Sequence, residues 1–276
     1  MLIQDLQLTN REGGLRLEAG LHHEDSDREP FSLFVEVGES SGRGFWEDPN
    51  GFLLAALFPA WNRGEKRVRL EGAPCPVLLG NLKAACDTLQ HWYPELGDPP
   101  VVESTSAPRA LNPVGNEAAA FLSCGIDSLA TVRANKLAVA GDHPLSIKIG
   151  IAIDYERPHG ITEKEERNRA AHRRTAAEQV CRDAGMTPLV VKTNILRMSD
   201  GYFFDYKWHA AAMSAVAYCV SRRCHKVYIA SSYTIPQLRP WGSHPLLDPY
   251  YSSAHLSVEH HGIEMTRMEK IGRAHV

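Results

Sequence analysis

The stretch from Glu117 to Lys136, EAAAFLSCGIDSLATVRANK, constrains the fold more than any other part of the chain. Ala118 to Leu122 is a continuous apolar run, short enough for a strand covered on both faces as in parallel sheets. Gly125 permits a sharp turn and a close approach of the backbone to a ligand. Asp127 and Ser128 stand where a helix begins, and Leu129, Val132, Ala134 and Leu137 supply its buried face. The stretch therefore reads as strand, anion-cradling loop and helix. A helix start offers unpaired N–H groups and the positive end of the dipole, which suits phosphate. Ser123 and Ser128 add hydroxyl donors, and Asp127 is placed to hold a magnesium ion beside the phosphates.

Strand and helix patterns alternate from this point on. Ser146 to Asp154 is the second strand, and Thr162 to Ala184 a long helix ending at Gly185. Thr187 to Thr193 is the third strand, Asp205 to Arg223 a helix and Lys226 to Ser231 the fourth strand. This order predicts an α/β fold, a parallel sheet with helices on both faces. Ligands of such sheets bind beyond the carboxyl ends of the strands, so Ser123, Asp154, Asn194 and Ser231 are expected to converge on one crevice. Residues 1–103 read as a small α+β region, expected to pack as a separate unit. Its strands are Leu15 to Leu21, Phe31 to Val37 and Arg67 to Glu71, and its helices Pro49 to Trp61 and Val77 to Tyr93. Residues 104–116, rich in Ser and Pro, form a linker to the α/β domain at 117–270.

Ser123-Cys124-Gly125-Ile126-Asp127-Ser128 resembles the S-G-G-x-D-S loop of the PP-loop ATP pyrophosphatases. That superfamily includes argininosuccinate synthetase, the synthetase domain of GMP synthase, tRNA-lysidine synthase and 7-cyano-7-deazaguanine synthase. It is not a Walker A loop, because no Gly-Lys-Ser/Thr follows. Cys124 replaces the first glycine of the pattern, and its Cβ calls for a backbone conformation open to L-residues. Glu264 to Glu269, EMTRME, resembles the Ser/Thr-Lys/Arg-x-Glu element that begins a later helix in several of these enzymes. The basic residue there points at phosphate, a role that suits the guanidinium of Arg267.

The resemblance implies a Rossmann-like fold of PP-loop type, with ATP and magnesium as cofactors and adenylation as the chemistry. An oxygen of the acceptor attacks the α-phosphorus, pyrophosphate leaves, and a nucleophile displaces AMP to give an amide, thio or nitrile-type bond. Asp127 and Arg267 are the catalytic residues on this reading, with Asp127 also the metal ligand. Ser123, Cys124, Gly125, Ile126, Asp127 and Ser128 hold the nucleotide, together with Asp154 and Ser231 at the ends of their strands. The acceptor is a small molecule, a peptide or a modified base. Two other readings stay open: a sensor that binds adenine nucleotides without turnover, and a relative of the PAPS reductases, which need a reactive cysteine near the C-terminus.

Composition narrows the partners. Across 276 residues, 43% hydrophobic and 23% charged content are globular values, and a formal net charge of -3 gives no general attraction to nucleic acid or anionic membrane. No apolar run reaches membrane-spanning length, and the N-terminus lacks the basic-then-apolar pattern of a signal peptide. The six cysteines include no C-x-x-C, which argues for reduced thiols and a cytoplasmic location. A homodimer is left open. His209 opens a helix that faces the crevice and reads either as a phosphate or substrate contact or as a satisfied core histidine. His255, His260 and His261 lie in a strand-like run whose alternation separates their side chains, which argues against zinc.

The far end reads differently. Ile271-Gly272-Arg273-Ala274-His275-Val276 is the translation of ATC GGA AGA GCA CAC GTC, a common sequencing-adapter oligonucleotide. The expectation is that residues 271–276 are not native, that Lys270 is partly adapter-encoded, and that the natural domain continues past Glu269. A zinc-binding cysteine cluster follows this point in the deazaguanine synthases.

Overall fold

The computed structural model of the chain describes residues 1–156 and 163–274. The first region contributes β1 (Leu2–Arg11), β2 (Gly14–His22), β3 (Phe31–Gly38), α1 (Pro49–Asn62), β4 (Arg67–Leu70), α2 (Pro76–Trp92) and β5 (Val101–Ser104). The second contributes β6 (Glu117–Phe121), α3 (Ile126–Ala138), β7 (Ile147–Tyr155), α4 (Glu163–Asp183) and β8 (Thr187–Thr193). After these come a single turn α5 (Gly201–Phe203), a π-helical turn at Phe204–Trp208, α6 (His209–Tyr218), β9 (Cys224–Ala230), β10 (Ser257–His261) and α7 (Arg267–Ala274). Thr162, the expected first residue of α4, lies outside the described residues, as do 275–276 of the expected non-native tail.

The protein is a mixed α/β structure in which these ten strands form one sheet, ordered β10-β9-β6-β7-β8-β3-β2-β1-β4-β5. Most of its pairings are parallel, and β6 has a parallel neighbour on each side, β7 and β9. Its alanines explain the position. Ala118, Ala119 and Ala120 are at most 1% exposed, and their small side chains let layers approach closely from both sides. Ala118, Ala120 and Leu122 join Val132 of α3 and Ala177 and Cys181 of α4 in one apolar cluster. Ala119 and Phe121, on the opposite face, join the larger cluster built from α1, α2 and α6. The α4 helix ends as its sequence predicts: Gly185 takes φ 61° and the Met186 N–H returns to the Cys181 carbonyl at 2.7 Å.

The first region does not pack as a separate unit. The strand β3 continues the sheet from β8 in antiparallel register, with Val35 opposite Thr193 and Val37 opposite Val191. Thr193 Oγ1 donates to the Phe34 carbonyl at 2.6 Å, and Asn194 accepts from Phe34 N–H and donates to the Ser32 carbonyl. The physical reason is that β8 would otherwise present an unpaired edge beside two apolar cores, and β3 is apolar enough to close it. The helix α1 is apolar all round, buried from Asn50 to Trp61, and a helix of that kind needs partners on every side. Those partners are α6 and β4, so the two regions share one core.

Candidate functional site

Within the parallel block the chain steps from β6 to β7 to β8 in one direction, and β9 and β10 lie on the other side of β6. The strand order therefore reverses between β6 and β9. At such a point the connections leave on opposite faces and the carboxyl ends of the strands open a crevice. The crevice here is a cleft of about 370 Å³. Phe121 to Cys124, Asp127 and Ser128 line it from the loop, and Ile151 to Tyr155 from β7. Arg173 and Arg174 of α4, His209 and Met213 of α6, and Ile229, Ala230 and Ser232 complete its walls.

The loop is held by its own serines. Gly125 N–H donates to Ser123 Oγ at 3.3 Å, Ser128 Oγ donates to the Gly125 carbonyl at 2.9 Å, and the two hydroxyl oxygens are 3.3 Å apart. Gly125 caps α3 with ordinary extended backbone, φ -82° and ψ 164°. The left-handed residue is Cys124, at φ 58°. That corrects the expectation that a cysteine there takes a conformation open to L-residues: the turn demands the glycine-like conformation, and the Cβ bears the strain. Cys124→Gly is expected to raise stability by about 0.5–1 kcal/mol, the strain relief exceeding the entropy cost of glycine. Thermal unfolding should show a midpoint higher by about 1–4 °C; a lower midpoint would count against the strain. Burial raises the Cys124 thiol pKa despite its place before a helix, which disfavours a thiolate nucleophile.

Both carboxylates that line the cleft are paired with a cation. Asp127 Oδ1 lies 3.2 Å from Nζ of Lys270, a buried side chain on α7 that also donates to the Ser231 carbonyl. Asp154, at the end of β7, is paired with Arg173, whose Nε is buried without a hydrogen-bond partner among the described residues. Arg174 is exposed at the rim. Sequence reasoning missed both arginines. Their local signal is an adjacent basic pair on the helix after β7, but α4 is so rich in charge that nothing local marks which of its faces meets the cleft.

Several expected members stand elsewhere. Arg267 is exposed and does not line the cleft. Thr266 and Glu269 of the same element form a capping box: Thr266 N–H and Oγ1 donate to Glu269 Oε2 at 2.7 and 2.8 Å, and Glu269 N–H returns to Thr266 Oγ1 at 3.3 Å. Ser231 is buried with its hydroxyl donating to the Tyr233 carbonyl, and Ser232 takes its place in the wall. Asn194 bridges β8 to β3 and does not reach the crevice. Gly125 and Ile126 complete the turn without lining the cleft. His255 and His260 are tied to separate buried carboxylates, Asp48 at 2.8 Å and Asp248 at 2.7 Å. Among the described residues, no group of three or more His, Cys, Asp or Glu side chains is arranged to hold a metal ion.

None of the described helices is long and apolar enough to cross a membrane. No family model, curated protein or solved structure matches the chain.

Proposed function

We propose that the cleft binds ATP with magnesium and that the chain is a Rossmann-like, PP-loop type ATP pyrophosphatase that adenylates an acceptor. The observation that carries the reading is a coincidence of two independent features. The S-x-G-x-D-S sequence runs from the turn after β6 into the first turn of α3, and the strand order reverses beside that same loop. A phosphate-binding loop is useful only where a cleft meets a helix start, and this one has both.

The donor set fits magnesium. The Asp127 carboxylate and the hydroxyls of Ser123 and Ser128 are hard oxygen ligands, and magnesium takes one or two carboxylates with phosphate oxygens in preference to an all-protein cage. When bound, the ion neutralises charge that builds on the departing pyrophosphate. The N–H groups at the start of α3 cradle the phosphates, and Arg173 and Arg174 of α4 add positive charge to the cleft. Asp154 accepts from a ribose hydroxyl or an adenine amine. The acceptor belongs to one of three classes: small molecule, peptide or modified base.

Asp127→Ala is expected to weaken binding of ATP with magnesium by about 10- to 100-fold, the scale on which weakened metal coordination is felt. AMP, which needs no metal, should lose far less. Asp127→Asn, which keeps a polar partner for Lys270, should give the same contrast. Calorimetric titrations of each nucleotide check this, and equal losses for the two would remove the magnesium role from Asp127.

A further inference from the structure

His209 stands on a wall of the cleft that the phosphate loop does not use. It follows the π-helical turn, and that turn changes the hydrogen bonding around it. His209 N–H donates to the Phe204 carbonyl, five residues back, so the Asp205 carbonyl is released from the backbone ladder. The released oxygen takes two other donors: His209 Nδ1 at 2.9 Å and Gly242 N–H at 3.2 Å. A carbonyl only accepts, so Nδ1 carries the hydrogen and Nε2 keeps its lone pair. The ring is held from several sides. Phe204 and Trp241 lie 6.0 and 6.2 Å from it between centroids, and a Cβ on Gly242 would come within 2.7 Å of Nδ1. Burial lowers the His209 pKa, outweighing the raising effects of Asp248 and Asp205, so the ring is neutral near pH 7. A neutral imidazole in a fixed tautomer, on the wall of the cleft and with Nε2 free of the Asp205 contact, is equipped to receive a proton.

We propose that His209 is the base of the second half-reaction, taking the proton of an amine or ammonia nucleophile as it attacks the adenylated acceptor. This rests on the adenylation reading above. The nitrogen lone pair forms a bond to the acceptor carbonyl carbon, the N–H proton passes to Nε2, and the bond from that carbon to the AMP oxygen breaks with its electron pair leaving on AMP. The imidazolium then gives its proton to solvent. The need for a base selects the nucleophile. A thiolate or persulfide attacks as an anion and needs none, whereas an amine carries its proton into the adduct, where a neutral imidazole can remove it.

His209→Asn separates the two half-reactions, because the asparagine amide can still donate to the Asp205 carbonyl but has no basic nitrogen. Exchange of radiolabelled pyrophosphate into ATP, driven by a panel of carboxylic acids, reads the first half-reaction in the full-length chain. Ammonium-dependent amide formation reads the second. The expected result is exchange retained within about threefold, amide formation reduced by about 10²- to 10⁴-fold, and loss of the acid limb of its pH profile. His209→Gln repeats the test if His209→Asn loses exchange. Unchanged amide formation, or an equal fall in both reactions in both variants, overturns the role of His209. Absence of exchange by the wild-type chain with every acid overturns the adenylation reading, and the role of His209 with it.

Discussion

A chain that begins at residue 104 is expected not to fold. Removing residues 1–103 takes away β3 and leaves Val191 and Thr193 of β8 on an open edge. It also removes α1 and α2 from the larger core, exposing Tyr218, Tyr251, Val216, Trp208 and Val191, each now at most 1% accessible. At about 1.5–3 kcal/mol for each large apolar side chain, these five alone account for roughly the 5–15 kcal/mol that holds an ordinary protein folded. Polar losses add to this. Asp48 is fully buried and accepts from Ser221 Oγ at 3.3 Å while pairing with His255 at 2.8 Å, so its removal leaves both partners without their acceptor. Circular dichroism and urea titration of the shortened chain check the expectation. A cooperative transition with the midpoint of the intact protein would mean that the two regions fold independently.

Arg174→Ala is expected to slow release of AMP and pyrophosphate by roughly thirty- to nearly a thousand-fold, with the fold intact. Removal of one preorganised charge aimed at the leaving group costs about 2–4 kcal/mol of barrier, and each 1.36 kcal/mol is tenfold in rate. Arg174 is exposed at the rim of the cleft, so its truncation leaves no cavity in a core. Arg173 is a poorer choice for the test, since it is paired with Asp154 and its loss would disturb that carboxylate as well. Arg267→Ala is the informative control. The family resemblance assigns the phosphate contact to Arg267, whereas the structure holds that side chain exposed and outside the cleft. Product analysis of the full-length chain with an acceptor decides between them. A rate lost with Arg267→Ala and kept with Arg174→Ala would return the role to α7, and ADP in place of AMP would reject the pyrophosphatase reading.

The placement of the loop at 123–128 and His209 on one cleft is only half visible in the sequence. The loop was legible because strand, turn and helix start follow one another within a few residues, and each carries a local signature. The helix pattern alone turns the histidine toward the crevice, but its tautomer depends on the Asp205 carbonyl being free. That follows from the π turn and from Gly242, which approaches from a loop distant in sequence. The regular helix expected over Asp205 to Arg223 would have given that carbonyl to the His209 backbone N–H.

The same division runs through the whole chain. Residue periodicity alone determined β2, β3, β8, α1 and α2 to within a residue or two, the alternation of strand and helix from Glu117, and the stop of α4 at Gly185. These features depend on side chains a few positions apart, so the sequence carries them directly. The strand β1 escaped because its register shifts between Gln4 and Gln7, with Asp5 at φ 56°, which breaks the alternation that marks a strand. Only the tertiary structure decided that β3 closes the edge of β8, that Arg173 and Arg174 line the cleft, that Lys270 meets Asp127, and that Arg267 stays outside the cleft. Strand partners and the direction of a helix face are chosen by the burial of surfaces far apart in sequence, and no local pattern records which surface will be the partner.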